Sequence, residues 1–205
     1  EGILIIGASK LSRLIGNYLK KNNRHVVLID NNQNNVEKAK KLGLEAITAN
    51  IFSDTLTDNI ELNDMGYLMA LTGNSDINKF AISKFQKQFG ENGAFRLVNT
   101  EEVNDPENNP KEGLFSHTDD FIQLMDTVRK HPTIHEIELE DKEHYDKLID
   151  ATYKERDIVP LFTKSPNGSI EIIPANSKDF TPKGEGYKLV YLGKILESDE
   201  KIVDE

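Results

Sequence analysis

The sequence predicts an α/β chain, with a doubly wound parallel sheet followed by a small β-rich (α+β) module. Two observations support this prediction. Apolar runs of strand length alternate with amphipathic segments of helix length up to residue 98, and strand-like segments dominate after residue 131. Alternation of strands and helices is typical of a parallel sheet with right-handed crossovers. We therefore predict a first domain at residues 1–130 and a second at residues 131–205.

The first thirty residues follow the order strand, turn, helix, strand. An apolar run (ILII, 3–6) leads into a small-residue turn (GASKLS, 7–12) and an amphipathic segment (11–21), and the next apolar run ends in Asp30. This order is typical of a Rossmann-type nucleotide site, because the turn places backbone N–H groups at a helix N-terminus. Asp30 stands 23 positions after Gly7, near the roughly 20 expected for an acid that accepts from a ribose 2′-hydroxyl.

The turn departs from the G-x-G-x-x-G pattern at two positions. Ser9 and Ser12 stand where the second and third glycines are expected. A serine hydroxyl adds a donor for phosphate oxygen, but it adds bulk where a dinucleotide passes closest. A smaller ligand, a weakly bound ligand and an empty site therefore remain alternatives. Asp30 favours NAD, ADP or AMP over NADP, and its simpler interpretation is a solvated acid at a strand end.

The other elements of the first domain follow from short apolar runs and turn residues. We predict a helix ending at Gly43, a short third strand, a buried fourth strand, a helix capped by Ser75 and a fifth strand. Their predicted ranges are 34–42, 45–48, 67–71, 76–89 and 95–98.

The second half of the chain changes in pattern. Residues 104–116 are rich in Asn, Pro and Glu and indicate an exposed loop, and a helix over 119–129 is ended by the pair His131-Pro132. Four strand-like runs follow, with a hairpin turn at 166–168 (PNG). Their ranges are 134–139, 158–163, 169–173 and 187–192.

Small and polar residues stand at the carboxyl ends of four predicted strands. Ligands of open parallel sheets bind outside these ends, so we expect the residues to share one site. For Asn50, Thr72 and Asn74, ordinary hydrogen bonding within loops is an equal alternative. The residues are Gly7, Ser9, Asp30, Asn50, Thr72 and Asn74.

Composition limits the classes of partner. The net charge of −10 repels phosphate backbones, so we expect no nucleic acid partner. The chain has no cysteine, and no apolar run approaches the roughly 18–20 residues of a membrane span. It begins with Glu1 rather than Met, almost inside the first strand. We therefore expect it to be part of a longer polypeptide.

Several linked segments resemble a known regulatory domain. Segments 43–46 (GLEA), 50–51 (NI), 66–78 (GYLMALTGNSDIN) and 89–90 (FG) resemble the TrkA-N (KTN/RCK-type) domain at the cytoplasmic end of bacterial NhaP-type sodium/proton antiporters. The resemblance covers roughly residues 2–100. A β-rich tail similar to residues 186–193 (GYKLVYLG) often follows in that family.

The resemblance implies a sensing function rather than an enzyme. It implies a domain, usually a homodimer, that binds NAD(H) or an adenine mononucleotide (AMP, ADP or ATP). Such a domain gates transport by the membrane domain of the same polypeptide, at the cytoplasmic face of the bacterial inner membrane. It implies no catalytic residue and no metal ligand. The positions that match its nucleotide contacts are Gly7, Ser9, Asp30, Asn31, Asn50, Ile51 and Thr72.

Two alternatives stay open. In an NAD-dependent oxidoreductase, a general acid or base would come from His117, His131, His135 or His144, none of which has a recognisable catalytic setting. Pro132 disfavours a helix that would align His131 with His135 as a metal pair. In a dimerisation scaffold with a vestigial nucleotide site, an exposed helix face would matter more than the cleft. Such a face lies near Phe80, Phe85 and Phe89, although core packing explains these residues more simply.

Overall fold

A computed structural model describes residues 2–90, 93–176 and 185–196. The chain divides into two compact units, Glu1–Leu97 and Val98–Glu205. The domain boundary predicted after residue 130 is a different division and stays a prediction. In the described part of the chain, no helix is both long enough and apolar enough to cross a bilayer.

The first unit alternates strands and helices as predicted. Its strands are β1 (Gly2–Ile6), β2 (Val26–Asp30), β3 (Glu45–Thr48), β4 (Met65–Ala70) and β5 (Ala94–Leu97). Its helices are α1 (Lys10–Lys21), α2 (Gln33–Lys41) and α3 (Ser75–Phe89), with a 3₁₀ turn at Leu56–Asn59.

The second unit mixes helices with short strands. Its helices are α4 (Thr100–Val103), α5 (Phe121–Lys130) and α6 (Lys142–Lys154), with a 3₁₀ turn at Pro106–Asn108. Its strands are β6 (Gly113–Leu114), β7 (Ile134–Glu138), β8 (Ile158–Lys164), β9 (Ile170–Ile172) and β10 (Lys188–Gly193).

The strands of the first unit form a sheet in the order β3-β2-β1-β4-β5. The pairings among these five strands are all parallel. This is the doubly wound order of a Rossmann-type fold, and the direction of winding reverses between β1 and β4. All five residues of β1 are buried, as expected of a central strand covered on both faces. The predicted fold class is therefore confirmed.

Helix α1 shows how the sequence builds the layers on this sheet. Its buried side chains Leu11, Ile15 and Leu19 recur every fourth residue, which puts them on one face of the helix.

Helix α3 has buried and exposed aromatic residues. Its Ala81 and Phe85 are buried, whereas 37% of the surface of Phe80 is exposed. The start of α3 corrects one prediction, because Asn74 rather than Ser75 caps it by accepting from the Asp76 and Ile77 amides.

The smaller sheet has the order β7-β10-β8-β9 and is antiparallel throughout. The pairing of β8 with β9 confirms the predicted hairpin. Helix α6 was not predicted from the sequence, and it packs Tyr145, Leu148 and Ile149 into the core of this unit. The prediction of an exposed loop over 104–116 is wrong in part, because Leu114 and Phe115 are fully buried.

An ion-pair cluster joins the loop before β2 to two other segments of the first unit. The Nδ1 of His25 lies 2.6 Å from Asp64 Oδ2 and its Nε2 lies 2.9 Å from Glu45 Oε2. Only the imidazolium form donates from both nitrogens, so the hydrogen bonds to Glu45 and Asp64 raise the pKa of His25 above 6.5. The same contact lowers the pKa of Asp64.

This cluster predicts a pH dependence of stability. A raised folded-state pKa adds stability that is complete below the unfolded pKa of His25 and is lost as pH rises through the folded value. The side chains of the cluster are largely exposed and solvent screens their charges, so we expect the loss to be small. Urea unfolding at pH 6 and pH 8.5 measures the change. The free energy of unfolding should decrease more between these pH values in wild type than in His25→Gln. Equal decreases in the two proteins would contradict the assignment.

Candidate functional site

The carboxyl ends of β1, β2 and β4 and the loop after β3 enclose a cleft of about 210 Å³. This volume is below the roughly 300–1,000 Å³ of pockets that enclose a drug-sized molecule. The cleft is therefore large enough for part of a dinucleotide but not for a whole one. Its lining residues are Ile6, Gly7, Ile29, Asp30, Asn31, Ala49, Asn50, Ile51, Phe52, Thr72 and Ile77.

Asp30 at the end of β2 supplies the carboxylate of the cleft. Its Oδ2 accepts from the Ala8 amide at 2.8 Å and from the Asn35 side chain at 3.3 Å. Its Oδ1 accepts from the Asn32 amide at 2.9 Å. An ionised carboxylate offers about four acceptor positions, so these three donors leave capacity for a ligand hydroxyl. The bond from the Ala8 amide attaches the turn after β1 to the end of β2.

The turn after β1 is compact around Gly7. Gly7 has φ of +107°, and its amide donates to the Ile29 carbonyl at 2.7 Å. A Cβ atom at this position would lie 3.2 Å from Thr72 Cγ2 and 3.4 Å from Ser12 Oγ. Ser12 is fully buried, and no hydrogen-bond partner of its hydroxyl is present in the described chain. The serine at the third-glycine position therefore packs beneath the turn, away from solvent.

Ser9 begins helix α1 rather than lining the cleft. Its side chain accepts from the Ser12 amide at 3.4 Å, which makes it the N-cap of the helix. Amides at such a helix start are the usual donors to a phosphate. Arg13 lies one turn further along and donates to the Ala8 carbonyl at 2.6 Å. Burial lowers the pKa of Arg13, and the charge of Asp30 opposes that shift.

The loop after β3 is fixed by side chains. Asn50 Oδ1 accepts from the Phe52 amide at 2.9 Å, which closes a turn over three residues. Lys84 of α3 donates to the Ile51 carbonyl at 2.8 Å and to the Ser53 carbonyl at 2.6 Å. This loop is therefore attached to α3 at two points.

Thr72 after β4 is held by a buried asparagine. Asn78 Oδ1 accepts from the Thr72 amide at 3.1 Å and from its hydroxyl at 2.6 Å, and the Asn78 amide group donates to the Thr72 carbonyl at 3.0 Å. Asn78 is only 3% exposed. The hydroxyl of Thr72 thus has a structural partner, and its methyl group lies against Gly7.

Six of the seven predicted site residues line the cleft, and Ser9 does not. The six are Gly7, Asp30, Asn31, Asn50, Ile51 and Thr72. Their contact with a nucleotide stays a prediction. The sequence reasoning missed five further lining residues, all apolar: Ile6, Ile29, Ala49, Phe52 and Ile77. Their signal was their position in the chain, because four of them adjoin a predicted site residue and Ile77 lies in the first turn of α3.

The cleft is lined by both polar and apolar residues. Its lining combines Asp30, Asn31 and the backbone near Gly7, which suit hydroxyl groups, with apolar side chains that suit a planar ring. The apolar side chains are Ile29, Ala49, Ile51, Phe52 and Ile77. The four histidines considered for an enzyme all belong to the second unit, and none lines this cleft.

Comparison with known proteins identifies the family. The TrkA-N domain pattern matches residues 3–109, which is more than half of the chain. No curated protein sequence matches the chain significantly.

Three solved structures show weak similarity. The NAD(P)-binding domain of an exopolyphosphatase-related protein from Archaeoglobus fulgidus is 18% identical, with a TM-score of 0.38 over 51% of this chain and 92% of that one. A xanthine dehydrogenase from Bacillus halodurans is 16% identical, with a TM-score of 0.42 over 63% of this chain and 45% of that one. N5-carboxyaminoimidazole ribonucleotide synthetase from Thermotoga maritima is 17% identical, with a TM-score of 0.36 over 96% of this chain and 46% of that one. The sequence match over residues 3–109, on a sheet of Rossmann-type order, shows that this chain belongs to the TrkA-N domain family.

Proposed function

We propose that this chain is a nucleotide-sensing regulatory domain. It binds NAD(H) or an adenine mononucleotide in the cleft at the carboxyl ends of β1, β2 and β4. The observation that carries the proposal is the position of Asp30. Its carboxylate lies at the end of β2, bonded to the turn after β1, beside the point where the strand order reverses.

The position of Asp30 also favours one class of dinucleotide. A carboxylate accepts from the 2′-hydroxyl of a ribose but repels a 2′-phosphate. We therefore expect NAD(H) to bind more tightly than NADP(H). The amides at the start of α1 are the donors we assign to the phosphates, with the Ser9 hydroxyl beside them.

Binding would act on transport through a second conformation. In this proposal the chain forms a homodimer at the cytoplasmic face of the bacterial inner membrane, attached to the membrane domain of a sodium/proton antiporter. A nucleotide that contacts the ends of several strands shifts the dimer between two arrangements. It does so only to the extent that its affinities for the two differ, commonly by about 1–3 kcal/mol. Support for this part comes from membership of the TrkA-N family.

A thermal-shift titration tests the binding step. The ligands are NAD, NADH, AMP, ADP and ATP, with NADP as the comparison. A nucleotide at about 100 times its Kd should stabilise the folded protein by about 2.7 kcal/mol, because it binds the folded state selectively. NADP should give a smaller shift than NAD. No shift with any nucleotide would contradict the proposal and leave the dimerisation scaffold as the better account.

A further inference from the structure

The lining of the cleft includes an exposed aromatic ring. Phe52 lines the cleft, yet 52% of its surface is open to solvent. Burial of an aromatic side chain is favourable, so a ring that stays exposed at the edge of a cleft lacks part of the free energy that burial would provide. A ligand that covers the ring would restore it.

The ring is held in place by the first unit itself. The Phe52 amide bonds to Asn50, and Lys84 binds the carbonyls on either side of Phe52, those of Ile51 and Ser53. The ring centroid of Phe52 lies 4.6 Å from that of Phe80, with an angle of 49° between the planes. Little further ordering is needed when a ligand binds, and preorganisation of this kind favours affinity.

The surroundings of the ring suit an uncharged planar group. Ile51 and Ile77 are apolar side chains that line the same cleft, and the Lys84 ammonium is already bonded to two carbonyls. Asp30 also lines this cleft and suits a sugar hydroxyl. A nucleoside has this combination, with a flat base joined directly to a ribose.

We propose that Phe52 is the base-stacking residue of the cleft. The inference rests on the proposed nucleotide function and adds a specific claim, that the base rather than the sugar-phosphate supplies much of the affinity. Stacking of a base on an aromatic side chain contributes about 1–3 kcal/mol. Loss of the ring should therefore weaken nucleotide binding about 5-fold to 150-fold.

The first test compares AMP with ribose 5-phosphate by calorimetry. Phe52→Ala should weaken AMP binding by at least fivefold, whereas Phe52→Tyr should bind AMP within twofold of wild type. The affinity for ribose 5-phosphate should be the same in all three proteins. Phe80→Leu is the matched control, because it removes the neighbouring ring but keeps Phe52. Phe80→Leu should weaken AMP binding less than Phe52→Ala does.

The second test uses the absence of tryptophan from the chain. Phe52→Trp introduces a single fluorescent reporter at the site. Its emission should be quenched by AMP and unaffected by ribose 5-phosphate. Because half of Phe52 is exposed, we expect the variants to remain folded, and urea unfolding of each variant checks this.

The outcomes separate the two proposals. If wild type and Phe52→Ala bind AMP equally, the stacking inference is wrong and the nucleotide function stands. If wild type binds no nucleotide at all, both are wrong. If AMP binds but leaves the Phe52→Trp emission unchanged, the base lies elsewhere and the inference is again overturned.

Discussion

Replacing Asp30 with alanine is expected to weaken NAD binding about 10-fold to 100-fold and to destabilise the protein by about 2 kcal/mol. Hydrogen bonds to a charged group contribute about 1.5–3 kcal/mol, and the ribose loses such a bond in this variant. The amide of Ala8, a fully buried residue, also loses its acceptor. Calorimetry measures the first effect, and urea unfolding measures the second.

A ratio within each protein separates recognition from folding. The Kd for NADP divided by the Kd for NAD should be large in wild type and should fall toward one in Asp30→Ala, because the repulsion of the 2′-phosphate is removed. Asn35→Ala is the matched control. It removes the side-chain amide whose nitrogen lies 3.3 Å from Asp30 Oδ2, but it keeps the carboxylate itself. The Kd ratio should therefore stay high in this variant. An unchanged ratio in Asp30→Ala would contradict the role assigned to Asp30.

Replacing Gly7 with alanine is expected to destabilise the first unit by about 2 kcal/mol and to weaken nucleotide binding. The backbone of Gly7 has φ of +107°, which an L side chain adopts at a cost of about 1–2 kcal/mol. The new Cβ would also press on Thr72 and Ser12, at 3.2 Å and 3.4 Å. Relief of that contact would displace the turn on which the phosphate donors depend.

Gly90→Ala is the control for the backbone contribution alone. Gly90 also has a positive φ, +72°, but a Cβ at that position meets nothing within 4 Å. Gly90 has ψ of 178°, a combination adopted almost only by glycine, so its substitution should also destabilise the protein, by about 1–3 kcal/mol, but should leave NAD binding unchanged. Urea unfolding and NAD titration of both variants make the comparison. Equal loss of NAD binding in the two variants would show that the turn at Gly7 has no specific role in binding.

Most of the first unit could be predicted from the sequence, because its strands are short apolar runs with polar ends. The third strand, Glu45–Thr48, has the predicted bounds. The N-cap of α3 could not be fixed, since Asn74 and Ser75 are both good capping residues and only the backbone decides between them.

The second unit was harder to predict because its core depends on contacts distant in sequence. Helix α6 did carry a signal, with Asp141 as its N-cap and buried residues at Tyr145, Leu148 and Ile149. The pattern of residues 104–116 was misleading, because their polar composition indicated an exposed loop although Leu114 and Phe115 are buried. Phe115 packs edge-on to Phe162, with ring centroids 6.2 Å apart, a contact that no local pattern indicates.

The residues of the candidate site also differ in how far the sequence could predict them. Asp30 and Gly7 could be predicted because their spacing reflects the geometry of one strand-turn-helix-strand unit. Ser9 is the N-cap of α1 and does not line the cleft, so its predicted contact with a ligand stays a prediction. Phe52 and Ile77 carried only the signal of their position in the chain, because the bonds of Lys84 that fix the loop after β3 to α3 join residues more than 30 positions apart.

The most direct test of nucleotide binding in this cleft is an NMR titration of the ¹⁵N-labelled protein with NAD. The amide resonances of Gly7, Ala8 and Asn31, together with those of Asn50 and Phe52, should shift with one common Kd, while those near His25 and Asp64 stay in place. Shifts confined to other residues, or no shifts at millimolar NAD, would contradict the assignment of this cleft as a nucleotide site.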